Sequence, residues 1–272
     1  MEKKLKTIYT CFPGGKHKVL TMSYDDGRVY DRRLIEIFNK NGIRGTFHLN
    51  SGHFNSPNSD LYIKYDDIKE LYKGHEVSAH TYTHPTISRC PITEVVKQVI
   101  EDRKVLESAC GYPVRGMSYP NGSYSQEIIN ILPACGIEYS RIVGNSDSFN
   151  MPENLLEWKS TCHHNHRLME HAKTFSELDK TQYLYMMYVW GHSYEFENQN
   201  NWELMEEFCE FIGGRDDIWY ATNIEIVDYM NAAKNLKFSA DSDMVINPNA
   251  CSVFISVDGE IIEVKGGETK KI

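Results

Sequence analysis

A chain of 272 residues, 41% hydrophobic and 25% charged, has the length and composition of a globular protein with one large domain, or one domain and a small appendage. Its formal net charge is −9 and it has no long run of Lys or Arg, so nucleic acid and anionic membranes are not expected as partners. No window is apolar over the length that a membrane span needs.

The cysteines predict a reducing compartment. The chain has seven of them, scattered and without a CxxC pair, a pattern typical of reduced thiols and not of a disulfide framework. Residues 1–10 are basic, but no apolar stretch of the signal-peptide kind follows them. We therefore expect a cytoplasmic protein, with a trimmed secreted form as the alternative, and the sequence leaves the oligomeric state open.

From residue 18 onward, short apolar strands alternate with amphipathic helices. The pattern predicts strands over residues 18–24, 44–50, 75–80, 114–120, 137–143, 183–190 and 218–223. It predicts helices over residues 32–42, 65–74, 91–111, 125–136, 202–214 and 224–236, and a less regular stretch over 144–176. Every strand but the fifth is followed promptly by a helix. Such alternation indicates right-handed parallel crossovers and an α/β barrel or open sheet.

The C-terminal part differs in character. Residues 239–272 hold two β-rich runs separated by Asp258-Gly259, a two-residue turn typical of a hairpin. We predict a barrel domain over residues 1–238 and a small β-rich extension over 239–272 that packs on the barrel as a cap.

Polar residues collect where the predicted strands end. Functional residues of parallel α/β folds gather at the carboxyl ends of the strands, so this rim is the candidate site. The rim residues, strand by strand, are Asp25 and Asp26, His80 with His84, Tyr119 with Pro120 and Asn121, Arg141, and Trp190 with His192.

Two histidines and two aspartates on this rim suit a metal. His80 and His84 are spaced so that both imidazoles share one face if the segment is helical, and a carboxylate from a neighbouring strand end would complete a three-ligand site of the catalytic zinc type. One aspartate of the pair would then stay ionised on the metal while the other accepts a proton from water. The alternatives are surface-loop histidines and an Asp-Asp-Gly sequence that only ends a strand.

His192 lies in the sequence YVWGHSYEF. Gly191 permits a close approach of chain or substrate, and Trp190 and Tyr194 offer apolar walls. A histidine there could donate a proton to a leaving group, although a buried, hydrogen-bonded histidine is the alternative. The histidines of STCHHNH are expected to contact substrate or solvent and not a metal. No functional role is predicted for His17, His48, His53, His75 and His171.

The segments SYDDG, HTYTH, YPNG and VWGHS, in this order on successive strand ends, resemble the NodB-homology polysaccharide deacetylases, carbohydrate esterase family 4. Any one of these motifs alone would be unspecific. The likeness runs from residue 19 to about residue 192 and implies an α/β fold of the distorted (β/α)7 barrel type, here with a small C-terminal β hairpin appendage.

The resemblance also implies roles for single residues. It makes Asp25 the general base, His192 the general acid, and Asp26, His80 and His84 the ligands of a divalent metal. That metal would be Zn²⁺ first, with Co²⁺, Ni²⁺ or Mn²⁺ as alternatives. The implied reaction is hydrolysis of an N- or O-acetyl group on a poly- or oligosaccharide, with release of acetate.

The sequence departs from the family at two motifs. Ser118 stands where the family often has an arginine that orients the base, and Arg115 is predicted to lie away from the rim. Arg141, on the next strand, is therefore the candidate to pair with Asp25. The family's final Leu-His motif reads Trp190-Gly191-His192 here. Substrate contacts are expected from Tyr119, Pro120, Asn121, Trp190 and Glu195.

Two other functions fit the same fold. One is hydrolysis of a cyclic amide, as in allantoinase-like relatives, although such relatives tend to lack the full set of metal ligands. The other is binding of carbohydrate without catalysis, which the aromatic rim and the hairpin would serve. The complete set of acidic residues and histidines favours the deacetylase.

Overall fold

The computed structural model describes residues 5–54, 56 and 58–272 of the chain. Residues 1–4 at the start of the predicted barrel domain, and positions 55 and 57 within it, lie outside the described residues. The strands are β1 Ile8–Cys11, β2 Lys18–Asp25, β3 Gly45–Leu49, β4 Glu76–Ala79, β5 Gly116–Ser118, β6 Tyr139–Ile142, β7 Trp158–Lys159, β8 Cys162–His163, β9 Tyr185–His192, β10 Ile218–Tyr220, β11 Lys237–Phe238, β12 Met244–Ile246, β13 Val253–Val257, β14 Glu260–Val264 and β15 Thr269–Lys271.

The helices are α1 Asp31–Lys40, α2 Ile68–Leu71, α3 Ile92–Cys110, α4 Gln126–Ile131, α5 Leu168–Glu177, α6 Ser193–Gln199, α7 Trp202–Ile212 and α8 Asn223–Lys234. Their apolar faces follow the helical period: α1, for example, buries Leu34 and Phe38, which are four positions apart. The long α3 ends at Gly111, whose φ of +84° is the left-handed conformation typical of a helix C-terminus.

A parallel sheet of nine strands forms the body of the molecule. Its order is β7-β6-β5-β4-β3-β2-β9-β8, and β10 pairs with β2 beside β3. The two outer strands, β7 and β8, are separated by two residues in the chain, so residues 158–163 connect the two ends of the sheet. The sheet is therefore curled into a distorted barrel, and the predicted seven strands and fold class are confirmed.

Central strand β2 places the first aspartate. All its residues are buried, because β9 covers one edge while β10 and β3 share the other. Leu20, Met22 and Tyr24 pack into the hydrophobic core, and the alternate residues Thr21, Ser23 and Asp25 each bond a polar partner. Asp25 thus ends a polar row on one face of the strand.

Several elements of the structure were not predicted, among them the short strands β7, β8, β11, β12 and β15. Three of the others are longer or lie close to the site. β1 lies ahead of the first predicted strand, α5 lies at the end of the stretch expected to be irregular, and α6 directly follows β9. Helix α5 begins after Arg167, which has a φ of +50° and makes no side-chain capping bond. Its start therefore carries no Ser, Thr, Asp or Asn signal that the sequence could reveal.

The C-terminal strands build two small sheets. β13 and β14 form the predicted hairpin, with both turn residues Asp258 and Gly259 at positive φ. The N-terminal strand β1 adds to this hairpin in an antiparallel sense, and β11, β12 and β15 form the second sheet. The division at residue 238 stays a prediction. Within the described residues, no helix combines the length and apolarity that crossing a membrane requires.

Candidate active site

The two aspartates occupy different environments at the end of β2. Asp25 is the last residue of the strand and is 2% exposed, whereas Asp26 begins the turn with a φ of +78° and a partly exposed side chain. Gly27 follows at +61°, and a Cβ on it would lie 2.7 Å from a methyl group of Leu49. The turn therefore requires glycine at residue 27, and the two carboxylates leave the strand in different directions.

Asp26, His80 and His84 converge on one point. The Oδ1 atom of Asp26 lies 3.7 Å from Nε2 of His80 and 3.8 Å from Nε2 of His84, and the three ligand atoms lie within 4.8 Å of one another. Residues 80–84 form a turn, with His84 at a φ of +57°, and not the helix that the spacing would need. The expected pairing of the imidazoles is thus achieved by loop geometry.

The hydrogen bonds of His80 leave its metal-facing nitrogen free. Nδ1 of His80 lies 2.8 Å from the carbonyl oxygen of Ser118, which can only accept, so Nδ1 carries the proton and Nε2 keeps its lone pair toward Asp26. His80 is also fixed through its backbone N–H, which donates to buried Asp102 on α3. Two imidazoles and one carboxylate with these separations fit a divalent transition metal.

Arg141 contacts Asp25, as the sequence predicts. The guanidinium of fully buried Arg141 donates to Oδ2 of Asp25, and the Ser118 hydroxyl donates to Oδ1 over 3.1 Å. Burial alone would raise the pKa of the Asp25 carboxyl, but the charges of Arg141 and the nearby histidines outweigh it and hold that pKa well below its usual range. Asp25 is therefore ionised across the neutral range.

The position of Ser118 explains the altered arginine motif. Ser118 on β5 is the register partner of Arg141 on β6, so the guanidinium reaches Asp25 from one strand further along the sheet. The Trp190 ring lies 4.3 Å from the Arg141 guanidinium carbon and covers it. Arg115, in contrast, donates to Asp228 and Glu138 and takes no part in the site.

His192 stands beside Asp25, because the two residues are register partners on β9 and β2. Its Nδ1 lies 3.4 Å from Oε1 of Glu195, in the first turn of α6. Burial lowers the pKa of His192, but the nearby Glu195 carboxylate and the charges of Asp25 and Asp26 outweigh this, and the net shift is upward. A protonated imidazole is favoured next to the ionised Asp25.

Two histidines of STCHHNH surround Glu195. Its Oε2 atom lies 3.0 Å from Nε2 of His163 and 3.1 Å from Nε2 of His164. Nδ1 of His163 accepts the N–H of Asn165, so the proton of that ring is on Nε2 and points at Glu195. Sequence reasoning missed this group, although Glu195 follows His192 by three positions, the spacing of a helix capping box.

Not all of the expected substrate residues face the site. Tyr119 is 1% exposed and donates its hydroxyl to the carbonyl of Leu156, and Pro120 is also buried. Tyr119 belongs to the hydrophobic core and Pro120 is closed off from solvent, which corrects the expectation that they contact substrate. Asn121 is exposed and Trp190 is 7% exposed, so their contact with substrate stays a prediction.

Residues 13–140 match the family model described as Polysaccharide deacetylase. This segment belongs to the polysaccharide deacetylase family. Among curated relatives of this deacetylase segment, the chain is 26% identical to a chitooligosaccharide deacetylase of Sinorhizobium fredii over 136 residues, which are 49% of this chain and 60% of that protein. The alignments with the first three curated relatives cover 21% to 60% of those proteins' lengths.

Solved structures support the deacetylase fold. A Mycobacterium smegmatis protein assigned to the polysaccharide deacetylases has a TM-score of 0.59 at 15% identity, covering 82% of this chain and 93% of that one. A family 4 acetyl xylan esterase of Clostridium thermocellum, in complex with a cobalt ion, has a TM-score of 0.54 at 13% identity, covering 78% and 92%. Arg141, His192 and Glu195 lie outside the matched deacetylase segment, so their assignment rests on geometry.

Proposed function

We propose that the protein is a metal-dependent hydrolase that removes acetyl groups from a poly- or oligosaccharide. One observation carries the proposal: three residues that can bind a metal, Asp26, His80 and His84, lie together. Beside them are Asp25, which is ionised, and His192, whose protonated form is favoured. Among the relatives named above are a chitooligosaccharide deacetylase and an acetyl xylan esterase, and both names refer to acetylated saccharides.

The residues divide the work of hydrolysis. A divalent cation held by Asp26, His80 and His84, Zn²⁺ in our proposal, supplies Lewis acidity toward the acetyl carbonyl and lowers the pKa of water. Asp25 accepts a proton from the water that adds to the carbonyl carbon. His192 gives a proton to the nitrogen or oxygen of the sugar as its bond to the acetyl carbon breaks, and acetate leaves.

The surrounding residues keep both groups in the required state. Arg141 and Ser118 hold Asp25 in place and ionised, so that it acts as a base and not as an acid. Glu195 faces Nδ1 of His192 and stabilises the imidazolium form. Glu195 thereby has contacts that account for its position without a substrate, and its expected contact with sugar stays a prediction.

Acetate release tests the proposal. The protein is freed of metal with a chelator, reconstituted with Zn²⁺ or Co²⁺, and given acetylated chitooligosaccharides and acetylated xylan in parallel. Acetate should form only with metal present. The Asp25→Asn variant should keep its bound metal but lose about 10²- to 10⁴-fold in rate, the usual contribution of a general base. Replacement of exposed Asp66 by Asn is the matched control and should have no effect.

The outcomes separate the competing functions. Full acetate release by the metal-free protein would contradict the proposal. Ring-opening of allantoin without acetate release would instead support the cyclic-amide hydrolase. Saccharide binding that persists at full strength with no acetate formed, even after metal is added, would favour the non-catalytic carbohydrate-binding protein.

A further inference from the structure

A second aspartate–histidine–histidine group lies outside the active site. Oδ1 of Asp147 lies 2.9 Å from Nε2 of His166 and 2.9 Å from Nε2 of His171, and all three ligand atoms lie within 4.8 Å of one another. Asp147 is in the segment that follows β6, His166 is in the connection from β8, and His171 is on α5. Three separate parts of the chain thus direct ligand atoms to one point.

The separations in this group suit a six-coordinate ion. Cis ligands of an octahedral first-row metal, each bonded at about 2.1 Å, lie roughly 3.0 Å apart, close to the two measured distances of 2.9 Å. His171 is 6% exposed and fixed on its helix, whereas Asp147 and His166 face solvent on one side. Water can therefore complete the coordination. Two histidines and one carboxylate with open positions are a known ligand set for divalent first-row metals.

The tautomers of the histidine rings distinguish this group from the group formed by His163, His164 and Glu195. Nδ1 of His163 is committed as an acceptor, which keeps the proton on Nε2 and blocks metal binding there. In the part of the chain that the structure describes, no hydrogen bond occupies Nδ1 of His166 or His171. Both rings can therefore move their proton to Nδ1 and offer Nε2 to an ion, exchanging two hydrogen bonds for two metal bonds.

We propose that Asp147, His166 and His171 bind a second divalent transition-metal ion, which stabilises the segment closing the barrel. The sequence alone gave these histidines no metal-binding role. The ion would link the loop after β6 to the start of α5. Two residues before Asp147, the Asn145 side chain accepts the N–H of His163, so the linked loop also supports the histidines around Glu195. Because the separations match hydrogen bonds, the ion must displace them, and this site should bind more weakly than the active site.

Metal stoichiometry tests the proposal without any assay of activity. The untagged, metal-free protein is dialysed to equilibrium against Zn²⁺ or Co²⁺ alone, and bound metal is measured by atomic emission. Asp147→Asn and His166→Gln, both at exposed positions, should each bind one equivalent less than the wild type, and thermal stabilisation by the weaker equivalent should disappear. Glu170→Gln, an exposed carboxylate on α5 that pairs with Arg167, is the matched control and should bind as the wild type does.

Each result decides the question. Asp26→Asn should lose a different equivalent, and the double variant Asp26→Asn/Asp147→Asn should lose both. Equal stoichiometry in the wild type, Asp147→Asn and His166→Gln would overturn the proposal, whatever the occupancy of the active site. It would also be overturned if Cys251→Ser, which removes the exposed thiol, abolished the weaker equivalent, because the ion would then belong to that cysteine.

Discussion

Asp25 and Arg141 form an ion pair that is almost completely removed from solvent, since their side chains are 3% and 0% exposed. Removing one partner of such a pair leaves a buried charge, which costs about 3–5 kcal/mol. We predict that Arg141→Met lowers the free energy of unfolding by roughly this amount, measured by urea denaturation at neutral pH. The double variant Asp25→Asn/Arg141→Met should be more stable than Arg141→Met, because no lone charge remains; equal stability of the two would contradict the pairing.

The ion pair of Asp25 and Arg141 also determines at which acidic pH the activity falls. Arg141 holds the pKa of Asp25 well below its usual range, so the wild-type base loses its charge only at strongly acidic pH. Without the guanidinium that pKa rises, and Asp25 becomes protonated at a higher pH than in the wild type. In Arg141→Lys, which is more conservative, the acidic limb of kcat/KM should therefore move to higher pH. An unchanged limb would show that another group protects the base.

Glu195 determines at which alkaline pH the activity falls. It raises the pKa of His192, and the acid works only while the imidazole keeps its proton, so activity falls as pH rises through that pKa. In Glu195→Gln the pKa of His192 should fall, and the alkaline limb of kcat/KM should move to lower pH. Exposed Glu207→Gln serves as the control. If Glu195 only bound substrate, KM would rise while the limb stayed in place.

For single residues, the sequence predicted which side chains lie at the strand ends better than it predicted which groups these side chains contact. The positions of Asp25, His80 and His192 at strand ends follow from strand–helix alternation, which brings carboxyl ends to one rim. The Arg141–Asp25 contact also agreed with the prediction. The contacts of His163 and His164 with Glu195 could not be predicted, because His163 ends a strand of only two residues, β8, and His164 follows it, so the segment has no periodic signal.

At the scale of the elements, strand β9 carries a glycine, Gly191, where it passes close to His164, the residue that follows β8. A Cβ on Gly191 would lie 2.0 Å from Nδ1 of His164, so the strand can pass the buried imidazole only with glycine at this position. The close approach that the sequence suggested at Gly191 is thus to the chain's own histidine. His164 in turn packs at 4.1 Å, ring centre to ring centre, on Phe196 of α6.

We predict that Gly191→Ala destabilises the protein by about 1–3 kcal/mol, the usual cost of overpacking, and displaces His164 from Glu195. Denaturation and the pH profile of kcat/KM measure the two effects. His164→Ala is the partner variant: it makes room for the new methyl group. The double variant should therefore lose less stability than the sum of the two single variants, and simple additivity would contradict the clash.

Strand β1 was missed because its partner strand is remote in the sequence. β1 pairs with β13 across almost the whole chain, from Ile8↔Val257 to Cys11↔Phe254, and such a partner is invisible to local patterns. Most of the predicted barrel strands differ from β1, because a helix whose apolar stripe is visible in the sequence follows each of them except β6. The curled sheet could therefore be predicted, whereas the strand that joins the two ends of the chain could not.

At the scale of the whole molecule, the pairing of β1 with β13 connects the C-terminal segment to the start of the chain. Val253 on β13 is fully buried in the same hydrophobic cluster as Phe12 and Tyr229. The Tyr229 hydroxyl donates to the Cys11 carbonyl and accepts the N–H of Phe254, and so links α8 to both strands. Val253 and Phe254 of the predicted extension thus contact residues of β1 and α8.

We predict that a chain ending at residue 238 is less stable than the full chain. Truncation uncovers Phe12 and removes Val253, each worth roughly 1.5–3 kcal/mol of burial, and leaves β1 without its partner strand. Thermal unfolding should show a lower Tm for residues 1–238, and Val253→Ala in the full chain should lower it by a smaller amount. Val253 is the test of packing, while exposed Ile261→Ala on β14 is the control. If the truncated chain kept its Tm, residues 239–272 would be an independent extension, and the hydrogen bond between Tyr229 and Phe254 would contribute nothing to the stability of the barrel.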